Sequence, residues 1–310
     1  MLAHEEEHHH PNTTKCPGLD PVVDTLTNYQ HYSLIAFEIA ITTLILFSNT
    51  VVILTIIKTK QYKERTMNLI VMLCIIDMLV AIVSQPCKLQ YFYHDHDAEH
   101  DCSFYILIFF AVNYFPLFSF YAVFILIHNN HVKLKYLEDY AEKLDTLKLI
   151  SHILYLAILA LLQSVTLGIA VAINLHFVTS LITPFEFIGF VVAATLQFRS
   201  HQRLKAMKTR EEIDRVPYVN VETHKMCTVY LVANAIAKSP VFFAELSIFI
   251  TKETTNSRAV AVMLGYALSN CTSVSNPITF VIINKEACKT CKRFLQSYCC
   301  KRKRRVTPSR

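Results

Sequence analysis

The sequence contains no tryptophan, only 4 glycines and few charged residues: 17% of its 310 residues are Asp, Glu, Lys or Arg, whereas 53% are hydrophobic. A soluble domain of this length needs far more polar surface, so the composition excludes that class. The apolar runs do not alternate with a period of two residues, which argues against a membrane β-barrel. Scarce glycine and the lack of internal repeats disfavour a channel or transporter, although either could share a seven-helix topology.

No signature of an enzyme is present: the chain has no phosphate loop, no nucleophile elbow and no membrane-embedded metal motif. Segments 4–10 and 94–100 mix histidine with carboxylates, and these groups bind metals and titrate near neutral pH. Their spacing alone does not predict a metal site. We therefore expect no enzymatic activity, no cofactor, no metal and no nucleic-acid partner.

Seven apolar stretches are long enough for a helix to cross the hydrocarbon core of a bilayer, which takes about 20 residues. We predict an all-α membrane protein, a seven-transmembrane helix bundle over 32–283, between an extracellular segment 1–31 and a C-terminal region 284–310. The seven spans, numbered one to seven, are expected near 32–57, 67–91, 102–128, 149–172, 176–199, 225–250 and 259–283.

The apolar tract 149–198 contains two of these spans. At 1.5 Å per residue, a single helix of this length would be more than twice as long as the bilayer is thick. The tract must therefore double back at 174–176, which leaves almost no second outer loop. An open-mouthed outer cavity would follow.

Lys and Arg are concentrated in loops on one side of the predicted bundle, after spans one and five and in the C-terminal tail, which marks that side as cytoplasmic. Opposite them, loop 91–101 contains four acids and no Lys or Arg. The expected protein is a multi-pass plasma-membrane protein with its N-terminus outside and its C-terminus inside. No basic segment with a short apolar core opens the chain, so we expect the N-terminal segment to be retained.

Covalent modifications are predicted on both sides of the membrane. Asn12 begins an Asn-Thr-Thr acceptor for glycosylation in the outer segment. Of the 10 cysteines, Cys16 and Cys102 clearly face the oxidising side, so one disulfide between them is allowed, and two unpaired thiols are the alternative. Cys299 and Cys300 adjoin a basic run, where acylation and anionic lipid would act together; free thiols are again the alternative.

Segment 285–297 places apolar residues at helical spacing beside lysines and an arginine, which predicts a short amphipathic eighth helix at the membrane surface. The basic tail follows it. Membrane lipids are therefore expected partners of this region.

Five features, each in the matching span and in the matching order, resemble the rhodopsin-like G-protein-coupled receptors. They are 48–52 in span one, Asp77 in span two, Cys102 at the start of span three, Pro240 in span six and 276–280 (Asn-Pro-Ile-Thr-Phe) in span seven. The resemblance extends from span one to the end of the amphipathic segment. It implies a receptor that senses an extracellular small molecule or short peptide and activates a heterotrimeric G protein.

In that family, the aspartate that matches Asp77 binds sodium together with polar groups of other helices. The expected neighbours here are Asn49, Thr272, Ser273 and Asn276. A carboxylate at bilayer depth is costly and must find a partner, so a hydrogen-bonded cluster with a purely structural role is the alternative.

Pro240 and Pro277 remove backbone hydrogen bonds in the middle of a helix and create bends. The resemblance implies that the inner ends of helices six and seven move about these bends on activation. Phe280 closes the same motif and is included with the hinge.

The end of span three departs from the family pattern. It reads Leu-Ile-His-Asn-Asn-His over 126–131 and lacks the arginine of the family's acid-Arg-aromatic triplet. His128 and Asn129 are the residues expected to face the G protein instead. The missing arginine supports an alternative function, a non-coupling co-receptor that forms a heterodimer with a partner receptor.

Two more family marks are missing, a cysteine in the second outer loop and a tryptophan in span four. With the sparse glycine and the missing arginine, these departures resemble the divergent chemosensory receptors of nematodes. Short second loops also occur in receptors for peptides and lipids.

Lys238 lies two residues before Pro240, where the family usually has a tryptophan. A buried ammonium must be paired or neutral. Its candidate partners are Asp77, which we favour, Glu186, or an acidic or lipid-like ligand. An amine ligand is disfavoured because span three offers Asn113 where a carboxylate would be needed. The residues predicted to bind ligand are Asn113, Gln163, Glu186, Lys238 and Glu245.

Overall fold

The structure, a computed structural model, describes residues 28–93, 102–136, 146–172, 176–209, 221–251 and 256–293. Within these ranges every regular element is helical and no strand occurs, which confirms the all-α class for this part of the chain. The helices are α1 (Asn28–Lys58), α2 (Arg65–Leu79), α3 (Gln85–Tyr93), α4 (Cys102–Lys135), α5 (Thr146–Ala172), α6 (His176–Thr209), α7 (Val221–Thr251), α8 (Asn256–Ile283) and α9 (285–293).

Four helical stretches in the described ranges are long and apolar enough to cross a membrane: Tyr32–Lys58, Arg65–Gln90, Phe110–Lys135 and Val221–Phe243. Two shorter apolar stretches, Ile150–Thr166 and Ala267–Ile283, lie in α5 and α8. The protein is therefore membrane-embedded. α1 covers predicted span one, α2 and α3 together cover span two, and α4 to α8 cover spans three to seven.

A π-helical turn, Val80–Ser84, joins α2 to α3 within one continuous span. The Gln85 N–H donates to the carbonyl oxygen of Val80, five residues back, which is the π-helical pattern. Pro86 follows and has no N–H to donate, so the regular ladder is interrupted here. This turn was not predicted from the sequence, and Gln85 and Lys88 of α3, which follow it, lie inside the bundle.

Lysine and arginine gather at one end of the bundle, here called the basic end. α1 ends and α2 begins there, next to the start of α9: the Asn284 amide Nδ2 lies 3.5 Å from Gln61 Oε1. Asn284 also caps α9, because its Oδ1 accepts a hydrogen bond from the N–H of Ala287 at 2.9 Å. α9 covers part of the predicted amphipathic segment, whose last residues lie outside the described ranges.

The main apolar core lies in the half of the bundle nearest the basic end. Its largest fully buried side chains include Ile56, Met67, Leu73, Leu126, Met226, Tyr230 and Phe280. α4 continues through 128–131 to Lys135 and does not end at residue 128, because the polar side chains there find partners on neighbouring helices.

α7 and α8 approach each other closely at Gly265. A Cβ atom at that position would lie 2.6 Å from Val241 Cγ2 and 2.8 Å from the Val241 backbone nitrogen. Small residues at such crossings allow membrane helices to touch through their backbones. The contact lies next to Pro240, so the hinge predicted in α7 packs directly against α8.

Candidate functional site

A buried carboxylate occupies the centre of the bundle. Asp77 of α2 is 0% exposed. Its Oδ1 accepts hydrogen bonds from the hydroxyls of Ser119 at 2.6 Å and Ser273 at 2.7 Å, and its Oδ2 accepts one from the Asn276 amide at 3.2 Å. Residues of α2, α4 and α8 are thus joined through one side chain, which we call the Asp77 cluster.

Asn49 of α1 completes the Asp77 cluster. Its Nδ2 donates to the carbonyl oxygens of Ile45 at 2.9 Å and Ser273 at 3.0 Å. The Oδ1 atoms of Asn49 and Asn276 are buried and have no hydrogen-bond partner among the described residues. Buried amide oxygens without donors are a cost unless something accepts their lone pairs.

Hard cations prefer oxygen ligands, so the Asp77 cluster fits the sodium ion implied by the family resemblance. Asp77 would supply the charge, and Ser119, Ser273, Asn49 and Asn276 would supply neutral oxygens. A bound monovalent cation would neutralise the buried carboxylate. The two unpartnered amide oxygens are the observation on which this fit rests.

Three of the four predicted neighbours of Asp77 lie in the cluster, and one does not. Thr272 turns its hydroxyl back to the carbonyl oxygen of Ser269 in its own helix, at 2.7 Å. Ser119 occupies the position that was predicted for Thr272. Its role was not predicted from the sequence. The available signal was its position, a single hydroxyl within the apolar run Leu117-Phe118-Ser119-Phe120.

Lys238 of α7 pairs with Glu186 of α6, with Nζ and Oε2 2.7 Å apart. The prediction that Asp77 is the partner of Lys238 is therefore wrong. Asp77 already accepts hydrogen bonds from three donors, and the structure places Glu186 beside Lys238. The two side chains retain 15% and 22% of their exposure, so the ion pair is largely enclosed. Lys238 Nζ also lies 4.1 Å from the centroid of the Phe120 ring, within cation–π range.

Of the remaining residues predicted to bind ligand, the structure describes the side chains of Gln163 and Asn113. Gln163 of α5 accepts a hydrogen bond from the Tyr121 hydroxyl of α4. Asn113 is half-buried in α4. The side chain of Glu245 lies outside the described residues, so its predicted role stays a prediction.

A second buried ion pair, which the sequence reading did not predict, lies farther from the basic end. Glu38 of α1 is 1% exposed and accepts a hydrogen bond from the Lys88 ammonium of α3. Asn270 Nδ2 of α8 approaches Glu38 Oε2 at 3.5 Å. Gln85, one turn from Lys88, is 1% exposed, and neither of its amide atoms has a partner among the described residues.

Neutral polar groups close the bundle at the basic end. Asn130 Nδ2 lies 3.4 Å from His224 Nδ1 of α7, and His131 Nδ1 lies 3.0 Å from the Ser200 hydroxyl of α6. Gln197 Nε2 of α6 donates to His224's backbone carbonyl at 3.0 Å. α4, α6 and α7 are therefore linked here without an arginine.

The two residues predicted to face a G protein lie in different positions. Asn129 is 0% exposed, and its amide lies 3.4 Å from the Thr66 hydroxyl, so it is inside the bundle and not on the surface. His128 is half-buried and packs edge-on against the His152 ring, with centroids 5.6 Å apart. α4 presents these side chains toward α2 and α5 because the helix continues straight through them.

Other predicted features are only partly described. Asn12, Cys16, Cys299 and Cys300 lie outside the described residues, as does the side chain of Cys102. Pro240 and Pro277 lie inside continuous helices, and Phe280 is fully buried. In the described ranges no group of three or more His, Cys, Asp or Glu side chains is arranged to hold a metal.

No protein-family model matches the chain, and no curated protein matches it.

Proposed function

We propose that the chain is a plasma-membrane receptor of the rhodopsin-like G-protein-coupled kind. In this proposal its N-terminus is outside, seven helices cross the bilayer, and it senses an extracellular small molecule or short peptide. Binding shifts the helices and activates a heterotrimeric G protein at the basic end. The observation that carries the proposal is the Asp77 cluster.

A carboxylate that is completely buried in apolar spans marks a functional site by default. Here it connects α2 and α4 to α8 through Asn276, which directly precedes Pro277. A bend at Pro277 would alter the hydrogen bonds of Asn276 and Ser273 to Asp77. The cluster can therefore act as a two-state element between an outer ligand site and the basic end.

The Glu38–Lys88 pair is the candidate outer recognition point. It joins α1, α3 and α8 on the side of the Asp77 cluster away from the basic end, and Gln85 beside it has amide atoms without partners. A ligand with an amide, such as a short peptide, matches the Gln85 side chain, and a carboxylate on that ligand would have to displace Glu38 from Lys88. Recognition of an acidic ligand by Lys238 would likewise require displacement of Glu186.

A non-coupling co-receptor is the second candidate function. The observation that favours it is the neutral network of Asn130, His131, His224 and Ser200 at the basic end. It contains no arginine that α4 could offer to a G protein. A receptor that forms a heterodimer needs no such arginine.

G-protein activation in cells that express the chain alone tests the first proposal. Pools of small acids, lipids and short peptides serve as stimuli, and surface expression is measured in parallel. A response that Asp77→Asn weakens and Ser275→Ala leaves intact supports autonomous coupling through the cluster. Ser275 is a suitable control because it lies in α8 and its hydroxyl donates to the carbonyl oxygen of Thr272 in the same helix, at 3.0 Å.

Silence in every pool, followed by a response when candidate partner receptors are co-expressed, would favour the co-receptor. A response that survives Asp77→Asn unchanged would show that the cluster is structural, as the alternative reading of the sequence holds.

A further inference from the structure

α4, α5 and α6 enclose a groove of about 630 Å³ on the side of the bundle that faces the membrane. α4 forms its floor with buried residues such as Tyr121 and Ile125. Exposed side chains of α5 and α6 form its rim: Leu162 is 59% exposed and Val192 is 53% exposed. None of the lining residues is Lys, Arg, Asp or Glu, so the groove suits an uncharged occupant.

Gln163 supplies a polar point in this apolar groove. Its Oε1 accepts a hydrogen bond from the Tyr121 hydroxyl, while its Nε2 is buried and has no partner among the described residues. An amide group left in this state costs free energy that an occupant with a suitable oxygen would recover. Amide and hydroxyl groups both pair well with a ligand hydroxyl, because a hydroxyl can donate and accept.

The depth of Gln163 determines how an occupant can reach it. Gln163 lies within the apolar stretch Ile150–Thr166, 11 residues after His152. At 1.5 Å per residue, this places it about 16 Å from the His128–His152 pair along the groove. Polar side chains lie at both ends of this stretch of the groove, and the walls between them are apolar. The groove therefore matches a molecule that is dissolved in the bilayer.

We propose that this groove is a binding site for an uncharged lipid that carries a hydroxyl at its membrane-buried end, such as a side-chain-hydroxylated sterol. The Gln163 amide turns from its buried position toward the groove to bond the hydroxyl, the apolar body fills the groove, and the opposite polar end lies at the histidine pair. Bulk phospholipid has no hydrogen-bonding group at its chain ends and leaves the amide unpaired. The site therefore discriminates between lipids by one oxygen.

Two aromatic rings, those of Phe124 and Phe120, connect the groove to the Lys238–Glu186 ion pair. Phe124 lines the groove, its ring centroid is 4.5 Å from that of Phe120, and Phe120 in turn lies under Lys238. A lipid that displaces Phe124 would shift the Phe120 ring and so change the surroundings of the ion pair between α6 and α7. This regulatory consequence rests on the proposed receptor function, whereas lipid binding itself does not.

Equilibrium binding to the purified full-length chain in lipid nanodiscs tests the site without any signalling readout. The probes are a labelled sterol with a side-chain hydroxyl and the same sterol without it. We expect saturable binding of the hydroxylated sterol, weakened about tenfold by Gln163→Leu, the effect of losing one hydrogen bond. Tyr121→Phe removes the internal bond but keeps the amide, and binding is expected to persist.

A steric test covers the case in which Gln163→Leu fails to fold. Val192→Phe adds bulk at the rim of the groove and is expected to block the hydroxylated sterol. Val232→Phe makes the same change on α7, at a residue that is 50% exposed and outside the groove, and should leave binding intact. Equal affinity for both sterols, or equal binding by both phenylalanine variants, would overturn the proposal.

The absence of tryptophan allows a direct check of location. Leu162→Trp places a single fluorophore at the rim, and Leu54→Trp places one on α1, where Leu54 is 56% exposed. A brominated hydroxysterol is expected to quench the first fluorophore at concentrations that leave the second unaffected. Identical quenching curves for the two would show general contact with lipid and no groove site.

Discussion

Replacing Lys238 with methionine is expected to destabilise the bundle by about 3 kcal/mol, because it leaves the Glu186 carboxylate without its partner in an apolar environment. Methionine keeps most of the length and volume of the lysine stem. The loss therefore reports the charge and not a cavity. The single variant Glu186→Gln is expected to be destabilising for the same reason, since it leaves the ammonium unpaired.

The size of this effect follows from the geometry of the pair. At the observed 2.7 Å and an effective dielectric constant near 20, the direct attraction is about 6 kcal/mol. The cost of removing both charges from water offsets a large part of that attraction. The residual exposure of 15% and 22% lowers the free-energy cost of leaving one charge unpaired. We therefore expect a loss near the lower end of the range of about 3–5 kcal/mol that is typical of broken buried pairs.

The double variant Lys238→Met with Glu186→Gln separates the two contributions. It removes both charges together, so we expect its stability to return to within about 1 kcal/mol of the original chain. The coupling energy of the double-mutant cycle should then be at least about 2 kcal/mol. Reversible unfolding of the purified protein in mixed detergent micelles gives these free energies.

Lys285→Met is the matched control, because Lys285 is 85% exposed and its partner Glu222 is 3.9 Å away. Its stability should be indistinguishable from that of the original chain. Two results would refute this reasoning: no change in the free energy of unfolding for Lys238→Met, or a loss in the double variant equal to the sum of the losses in the two single variants. Either result would show that the enclosed ion pair contributes no coupling energy.

Three further predictions follow from named contacts. Asp77→Asn should abolish a sodium-dependent rise in melting temperature, and a sodium effect that survives the change would argue against a cation in the Asp77 cluster. Gly265→Ala should cost about 1–3 kcal/mol of unfolding free energy through overpacking against backbone, whereas Gly189→Ala meets only the movable Phe124 ring and should cost less. Glu38→Gln should cost more than Glu38→Gln combined with Lys88→Met, as measured by unfolding, because the single change leaves a buried ammonium alone.

The polar partners show where sequence reasoning succeeds. Asp77 stands out as a lone carboxylate in an apolar span, and the rule that it needs a partner is general. Asn276 begins the motif that carries the family resemblance, Ser273 precedes it by three residues, and both donate hydrogen bonds to Asp77. Ser119 was missed because its hydroxyl could equally have bonded its own helix, as Thr272 does.

The partner of Lys238 shows where sequence reasoning fails. Spacing along one helix indicates which face a lysine occupies, but the choice between Asp77 and Glu186 depends on how α6 is rotated against α7. The same limit applies to Lys88, whose burial against Glu38 follows from the π-helical turn ahead of α3. Rotation about a helix axis is decided by packing against neighbours.

The sequence by itself determined that this chain is helical and membrane-embedded, because hydrophobicity and backbone hydrogen bonding in lipid are local requirements that each segment meets alone. It also indicated that the carboxylate of Asp77 and the ammonium of Lys238 would be buried at a cost. Only the tertiary structure decided how those residues pair and which amide atoms of Gln163 and Gln85 have no partner among the described residues. It also decided that α4, α5 and α6 enclose a groove. Those properties depend on contacts between helices far apart in the chain, and no single segment encodes them.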